Sequence, residues 1–231
     1  MIGILVIVTL SWILLYVFEK QSIFILGLLP NKKRFGQFII GFLATAMLCI
    51  GVQVMESFLS SSHWFINENL TGSLVWKMFY WDLKSVLTEE LVFRGAILFI
   101  LIKKFGSSRA IILSAIAFGI YHWFTFGIFG EIIPMVLVFI GTGLMGYAWA
   151  LAFAKTESMA LSIGLHLGWN FTFNSVFSNG PFGNGILLSK GGEIISEWFT
   201  LIGFILVPIL VLLLVKHCVH KRKRNLLLNI A

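Results

Sequence analysis

Leu87-Thr-Glu-Glu-Leu-Val-Phe-Arg-Gly95 places Glu89, Glu90 and Arg94 within a run that is otherwise apolar. At the centre of a membrane-spanning helix each such group costs roughly 2.5–3.5 kcal/mol on insertion scales. Three within six residues are carried only if they pair or face a wet cavity. On a helix Glu90 and Arg94 stand four apart, share a face and can form an ion pair. Glu89 is rotated about 100° from Glu90 and can point elsewhere. The pattern therefore predicts one carboxylate tied down and its neighbour free for chemistry. The plainer reading, in which all three line a solvated helix end, is opposed by the apolar residues that continue on both sides. Ionisable groups at membrane depth mark function by default.

Composition supports a membrane setting. The 231 residues are 58% hydrophobic and 12% charged, with mean hydropathy +0.96. Soluble domains carry roughly twice that charged fraction. The expected fold class is all-α, a polytopic transmembrane helical bundle of about seven spans within a range of roughly six to eight. Cys49 and Cys218 form no disulfide or metal pattern. The net charge of +7 is concentrated in part in a tail with Lys216, His217, Lys221, Arg222, Lys223 and Arg224. A juxtamembrane basic cluster marks the cytoplasmic side and contacts anionic lipid, so lipid rather than nucleic acid is the expected partner there.

Outward from the charged stretch, apolar runs predict spans at about 2–18, 35–58, 74–102, 110–124, 132–154, 159–177 and 198–215. The third is long enough to tilt or to be interrupted near Asp82 and Lys84. The first lacks a basic leader region and a small-residue cleavage site, which favours a retained span over a signal peptide. With the N-terminus outside and the C-terminus cytoplasmic, most Lys and Arg fall inside and only Lys190 lies in an outer loop. The expected organisation is two N-terminal spans over 1–72, a core of four spans over 73–178, and an outer loop, last span and basic tail over 179–231. Compact size and the lack of eukaryotic targeting signals suggest a bacterial plasma membrane.

Gly141-Thr-Gly-Leu-Met-Gly146 matches the dinucleotide-binding pattern but sits in an apolar helix with no preceding strand. Close helix approach explains it better, as it does Gly164 and Gly168. There is no His-Glu-x-x-His motif, P-loop or Gly-x-Ser-x-Gly.

More polar groups recur inside the spans. His122 follows Phe118 by four residues, and His166 and Asn170 are four apart on one face. A lone histidine at a span's end is usually interfacial or packed; two, with an asparagine and an acidic pair in separate spans, are harder to dismiss. Counting from the cytoplasmic ends at 1.5 Å per residue sets Glu89 and His122 roughly 20 Å deep and His166 at about 12 Å, so the third disagrees unless its helix begins earlier or tilts. Peptide-bond hydrolysis needs a base to activate water, a group to hold that water, and donors for the developing oxyanion. Glu89 suits the base and His122 the water-positioning group, with His166 and Asn170 as oxyanion donors. Glu89, His122 and His166 could also hold one divalent metal such as zinc that activates the water. The residues alone leave both mechanisms open.

Glu-Glu-x-x-x-Arg at Glu89, Glu90 and Arg94, Phe-x-x-x-His at Phe118 and His122, and His-x-x-x-Asn at His166 and Asn170 resemble the motifs of the CPBP family of intramembrane peptidases. That family includes CAAX prenyl proteases and Abi-type bacteriocin-processing or immunity proteins. The resemblance covers about 84–177 and the motifs occur in the family's order. It implies a catalytic Glu89, a water-activating His122, oxyanion-stabilising His166 and Asn170, and a structural or orienting role for Glu90, Arg94 and Phe118. It leaves substrate and metal dependence open. The expected activity is an intramembrane endopeptidase acting on a membrane-associated peptide, lipidated or of leader or bacteriocin type. The alternatives are a non-catalytic immunity or regulatory protein that binds a peptide or membrane partner, and a proton-relay transporter. The latter would gain from inverted repeats, and none is visible.

Overall fold

A chain that is apolar over most of its length satisfies its backbone internally in lipid by forming helices. The computed structural model describes residues 2–220 and is mostly helical. Its helices are α1 (Ile2–Glu19), α2 (Lys32–Ser60), α3 (Gly72–Phe93), α4 (Ala96–Phe105), α5 (Ser107–Thr125), α6 (Ile132–Thr156), α7 (Met159–Asn170) and α8 (Glu197–Cys218). Among the described residues, α1, α2, α6 and Leu201–Cys218 of α8 are long and apolar enough to cross a membrane. Lys221, Arg222, Lys223 and Arg224 of the basic tail, with their expected lipid contact, lie outside the described residues.

Helix starts follow local chemistry. Asn31, Thr71 and Ser158 precede α2, α3 and α7, and each side-chain oxygen accepts a hydrogen bond from a backbone N–H of the first turn. The predicted third span is corrected. It is two helices, and the interruption falls at Arg94–Gly95 rather than near Asp82 and Lys84. At Gly95 an added Cβ would lie 2.1 Å from the Leu91 carbonyl oxygen. Only glycine allows the chain to turn there. The predicted sixth span is also modified: α7 ends at Asn170, and Phe171–Val176 continues as a wider π-helical turn.

The all-α expectation needs one further correction. The two loops predicted on one side of the bundle contain strands β1 (Ser62–Ile66) and β2 (Leu187–Gly191), paired antiparallel with Ser62 opposite Gly191 and Ile66 opposite Leu187. Each loop thereby supplies hydrogen-bond partners for the other's backbone. Trp64 of β1 packs edge-on against Phe177, just past the π turn.

The short helix α7 packs backbone-close against α2. An added Cβ at Gly164 would lie 2.2 Å from the Phe38 carbonyl oxygen, and one at Gly168 2.2 Å from that of Phe42. Thr45 Oγ1 donates across the same crossing to the Leu165 carbonyl at 2.7 Å. Small residues here let α2 and α7 approach backbone to backbone. Gly141 likewise receives the ring of Phe204 from α8, so the glycine-rich run of α6 is a packing surface. Lys155, at the end of α6, donates to the carbonyls of Val215, Lys216 and Val219 and fastens the end of α8.

Gly164→Ala and Gly168→Ala should each destabilise the protein by about 1–3 kcal/mol through overpacking against a carbonyl. Gly51, with open space at its Cβ position, should become neutral to slightly stabilising as Ala, by up to about 1 kcal/mol. Thermal unfolding in detergent distinguishes the two classes.

Candidate active site

A buried guanidinium needs a carboxylate and further acceptors, and the end of α3 is built around that need. Arg94 is 0% exposed, with Nη1 3.4 Å from Glu90 Oε1. Its Nη2 donates to the Gly146 carbonyl of α6 at 3.2 Å. The guanidinium lies over the Phe118 ring at 4.1 Å and near Trp149 at 5.1 Å. Both contacts are of cation–π type. Gly146 is required by this geometry, since a Cβ there would come 2.9 Å from Phe118 and 3.2 Å from Arg94 Nη2. The last glycine of the false dinucleotide motif therefore makes room for an arginine.

Glu90 completes the linkage. It is 0% exposed and accepts from His166 Nδ1 of α7 at 3.0 Å through the same Oε1 that faces Arg94. The His166 ring is stacked on Trp149 at 3.8 Å and 18°. Carboxylate and indole together fix the imidazole, and Nε2 is turned toward Glu89 Oε2 at 3.7 Å. The Glu89 side chain is 14% exposed, and its nearest hydroxyl donor, Ser85 Oγ, stands at 3.4 Å. One glutamate is thus held by a cation and an imidazole, while its neighbour keeps a partly open face.

His122 reaches the same neighbourhood from α5. Its Nδ1 donates to the Phe118 carbonyl at 2.8 Å, which leaves Nε2 as a lone-pair acceptor. Its ring centroid is 4.4 Å from that of Phe118, and the His166 centroid is 6.3 Å from the same ring. The Phe118 ring thus meets both histidines and the arginine. Asn170 lies one turn beyond His166, half-buried, and its carboxamide has no hydrogen-bond partner among the described residues.

The sequence-predicted residues Glu89, Glu90, Arg94, Phe118, His122 and His166 are therefore neighbours, with Asn170 at the margin. The depth mismatch for His166 rested on an unbroken third span. The count to Glu89 ran from Lys103 through a straight helix, and the break at Gly95 removes that assumption. The metal alternative does not gain a site: among the described residues no three His, Cys, Asp or Glu side chains gather to hold a metal. His166 commits Nδ1 to Glu90, while its Nε2, 3.7 Å from Glu89 Oε2, lies beyond hydrogen-bond reach of that carboxylate.

Other contributors were not legible as a set. Gly146 and Trp149 carry no motif of their own. Asp82, 1% exposed, accepts from Asn174 Nδ2 at 2.7 Å and Ser175 Oγ at 2.6 Å. Its acidic character within a span, seven residues before Glu89, was the available signal.

Removing Arg94 as alanine would strand a buried carboxylate, and the expected loss is about 3–5 kcal/mol. Arg94→Ala combined with Glu90→Gln should recover part of that loss, since the stranded charge is gone. Thermal unfolding of the two variants measures the difference.

Residues 70–172 match the family model for type II CAAX prenyl endopeptidases, described as Rce1-like. No curated protein and no solved structure matches the chain. The matched segment begins beside the N-cap of α3 and ends two residues beyond Asn170, so it encloses every residue of the three motifs. The match over residues 70–172 makes this segment similar to the Rce1-like, CAAX-type family and agrees with the resemblance to the CPBP family, and the apolar helices of the chain mark an integral membrane protein.

Proposed function

We propose that the chain is an intramembrane endopeptidase that cuts a membrane-associated peptide, lipidated or of leader type, with water activated by Glu89 and His122. The supporting observation is the unequal fate of adjacent carboxylates. Glu90 is sealed between Arg94 and His166, whereas Glu89 is partly open and 3.7 Å from His166 Nε2. A fixed neighbour orients the helix end, and the open carboxylate is available as a base.

In this reading a water hydrogen-bonds to Glu89 and to His122 Nε2. Glu89 takes a proton as the water oxygen bonds to the scissile carbonyl carbon. The carbonyl π electrons move to oxygen, where His166 and the Asn170 amide supply hydrogen bonds to the developing charge. Collapse of the tetrahedral species restores the carbonyl, breaks the carbon–nitrogen bond, and returns the proton from Glu89 to the departing amine. Trp149 stacking and the Glu90 hydrogen bond hold the His166 ring in place throughout. The proposal places the N-terminus outside, the C-terminus in the cytoplasm of a bacterial cell, and anionic lipid beside the basic tail.

Glu89→Gln and His122→Ala should abolish cleavage while the chain still accumulates in the membrane. Asn170→Ala should lower kcat by about 10²–10³, the usual effect of losing one oxyanion donor. Membrane peptidomics of cells carrying the wild-type chain or Glu89→Gln identifies the substrate as a peptide that accumulates uncut. A peptide ending in prenylated Cys-aliphatic-aliphatic-X serves as a defined probe. Full biological activity in Glu89→Gln would replace this proposal with a binding or immunity role. Cleavage lost to a chelator and restored by zinc would move the mechanism to a metal.

A further inference from the structure

Asp82 is a buried carboxylate one helical stripe away from the base. Asp82 and Glu89 are seven residues apart on α3 and so lie about 20° from alignment. Two links join α3 to the segment running from α7. Glu90 meets His166, and eight residues earlier on α3 Asp82 meets Asn174, eight residues later on the other segment. The second link depends on the π turn. In an uninterrupted α-helix Asn174 would stand about 80° round from His166, and Ser175 on the opposite side at about 180°. A helix closed by i→i+5 bonds advances less per residue, and the bond from Phe177 N to the Thr172 carbonyl at 3.0 Å has that spacing. Widening brings both side chains round to Asp82.

The choice of an acid is informative. Burying a carboxylate is costly, and among the described residues no cation is paired with Asp82. An asparagine would offer only one acceptor atom, whereas two donors converge here. Asp82 holds both at once and so fixes the turn that begins immediately after Asn170. The Asn170 carboxamide has no hydrogen-bond partner of its own among the described residues, so its direction is set by this backbone.

We infer that Asp82 is a positioning residue: by clamping Asn174 and Ser175 it holds the π turn of Phe171–Val176 and aims the Asn170 carboxamide at the site. This rests on the endopeptidase proposal. π turns inside helices are frequent at functional sites, and a misplacement of about 1 Å can cost about 10²-fold in rate.

The test compares full-length Asp82→Ala, Ser175→Ala and the reciprocal exchange Asp82→Asn with Asn174→Asp, all in membranes. One arm measures amide hydrogen exchange over 171–177. The other measures, against wild type and Glu89→Gln, the membrane peptides that accumulate uncut. Asp82→Ala should speed exchange and slow peptide turnover by about 10–100-fold, and Ser175→Ala, which loses one bond, should do both to a lesser degree. The reciprocal exchange rebuilds donor and acceptor and should recover most of both losses. Unchanged exchange in Asp82→Ala, or in Ser175→Ala where the former fails to accumulate, would overturn the clamp. Faster exchange with wild-type turnover would overturn the positioning role. An exchange variant no better than Asp82→Ala would do the same. If Glu89→Gln matches wild type in its peptides, the endopeptidase proposal fails, and the hydrogen-exchange arm still decides the clamp.

Discussion

A charge buried in a membrane protein must be answered where it stands, and here the answer to Arg94 is Glu90. Neither side chain touches solvent. The same carboxylate oxygen receives His166 from α7, and the guanidinium reaches the α6 backbone at Gly146 and the α5 ring of Phe118. One ion pair thus ties α3 to three other helices. Leaving any of these groups unpaired in a medium without water would cost several kcal/mol, so the docking of these helices is specified by electrostatics as much as by apolar packing. Apolar contact alone would specify little, because lipid tails are as apolar as the helix faces.

Small residues make that arrangement sterically feasible. Gly95 permits the chain to break directly after Arg94, Gly146 leaves space for the guanidinium, and Gly164 and Gly168 let α2 press on α7. Trp149 then covers the His166 ring with a stacked face. The consequence is an imidazole whose orientation is determined by three elements at once. Preorganisation of this kind is what electrostatic stabilisation of a transition state requires, since dipoles already aimed need not reorganise during the reaction.

The chemistry proposed for the site follows from this division of labour. Two adjacent glutamates cannot do the same job, because one helical step turns them about 100° apart. Glu90 faces inward to arginine and histidine, while Glu89 faces the partly open side. His122, with Nδ1 committed to a carbonyl, presents its other nitrogen as an acceptor. A water held between Glu89 and His122 would meet two acceptors, which suits deprotonation and not simple binding.

The amino-acid sequence was enough to determine the membrane-helical class, the pairing of Glu90 with Arg94, and the residue types of the candidate site. Those follow from composition and from i,i+4 geometry, which are local. The sequence also brought the right residues into consideration without saying how they meet. Tertiary structure decided that Glu89 and Glu90 converge on one histidine, that the long third span breaks at Gly95, and that Gly146 and Trp149 complete the pocket. It also decided that two loops pair as strands, that His166 commits Nδ1 to Glu90 and turns Nε2 toward Glu89, and that Asp82 is joined to Asn174 and Ser175. Each of these depends on contacts between segments tens of residues apart, or on one turn widened from α to π. A helical period read along the chain assumes a straight rod of constant pitch, so it cannot register a break, a bulge or a partner from another helix.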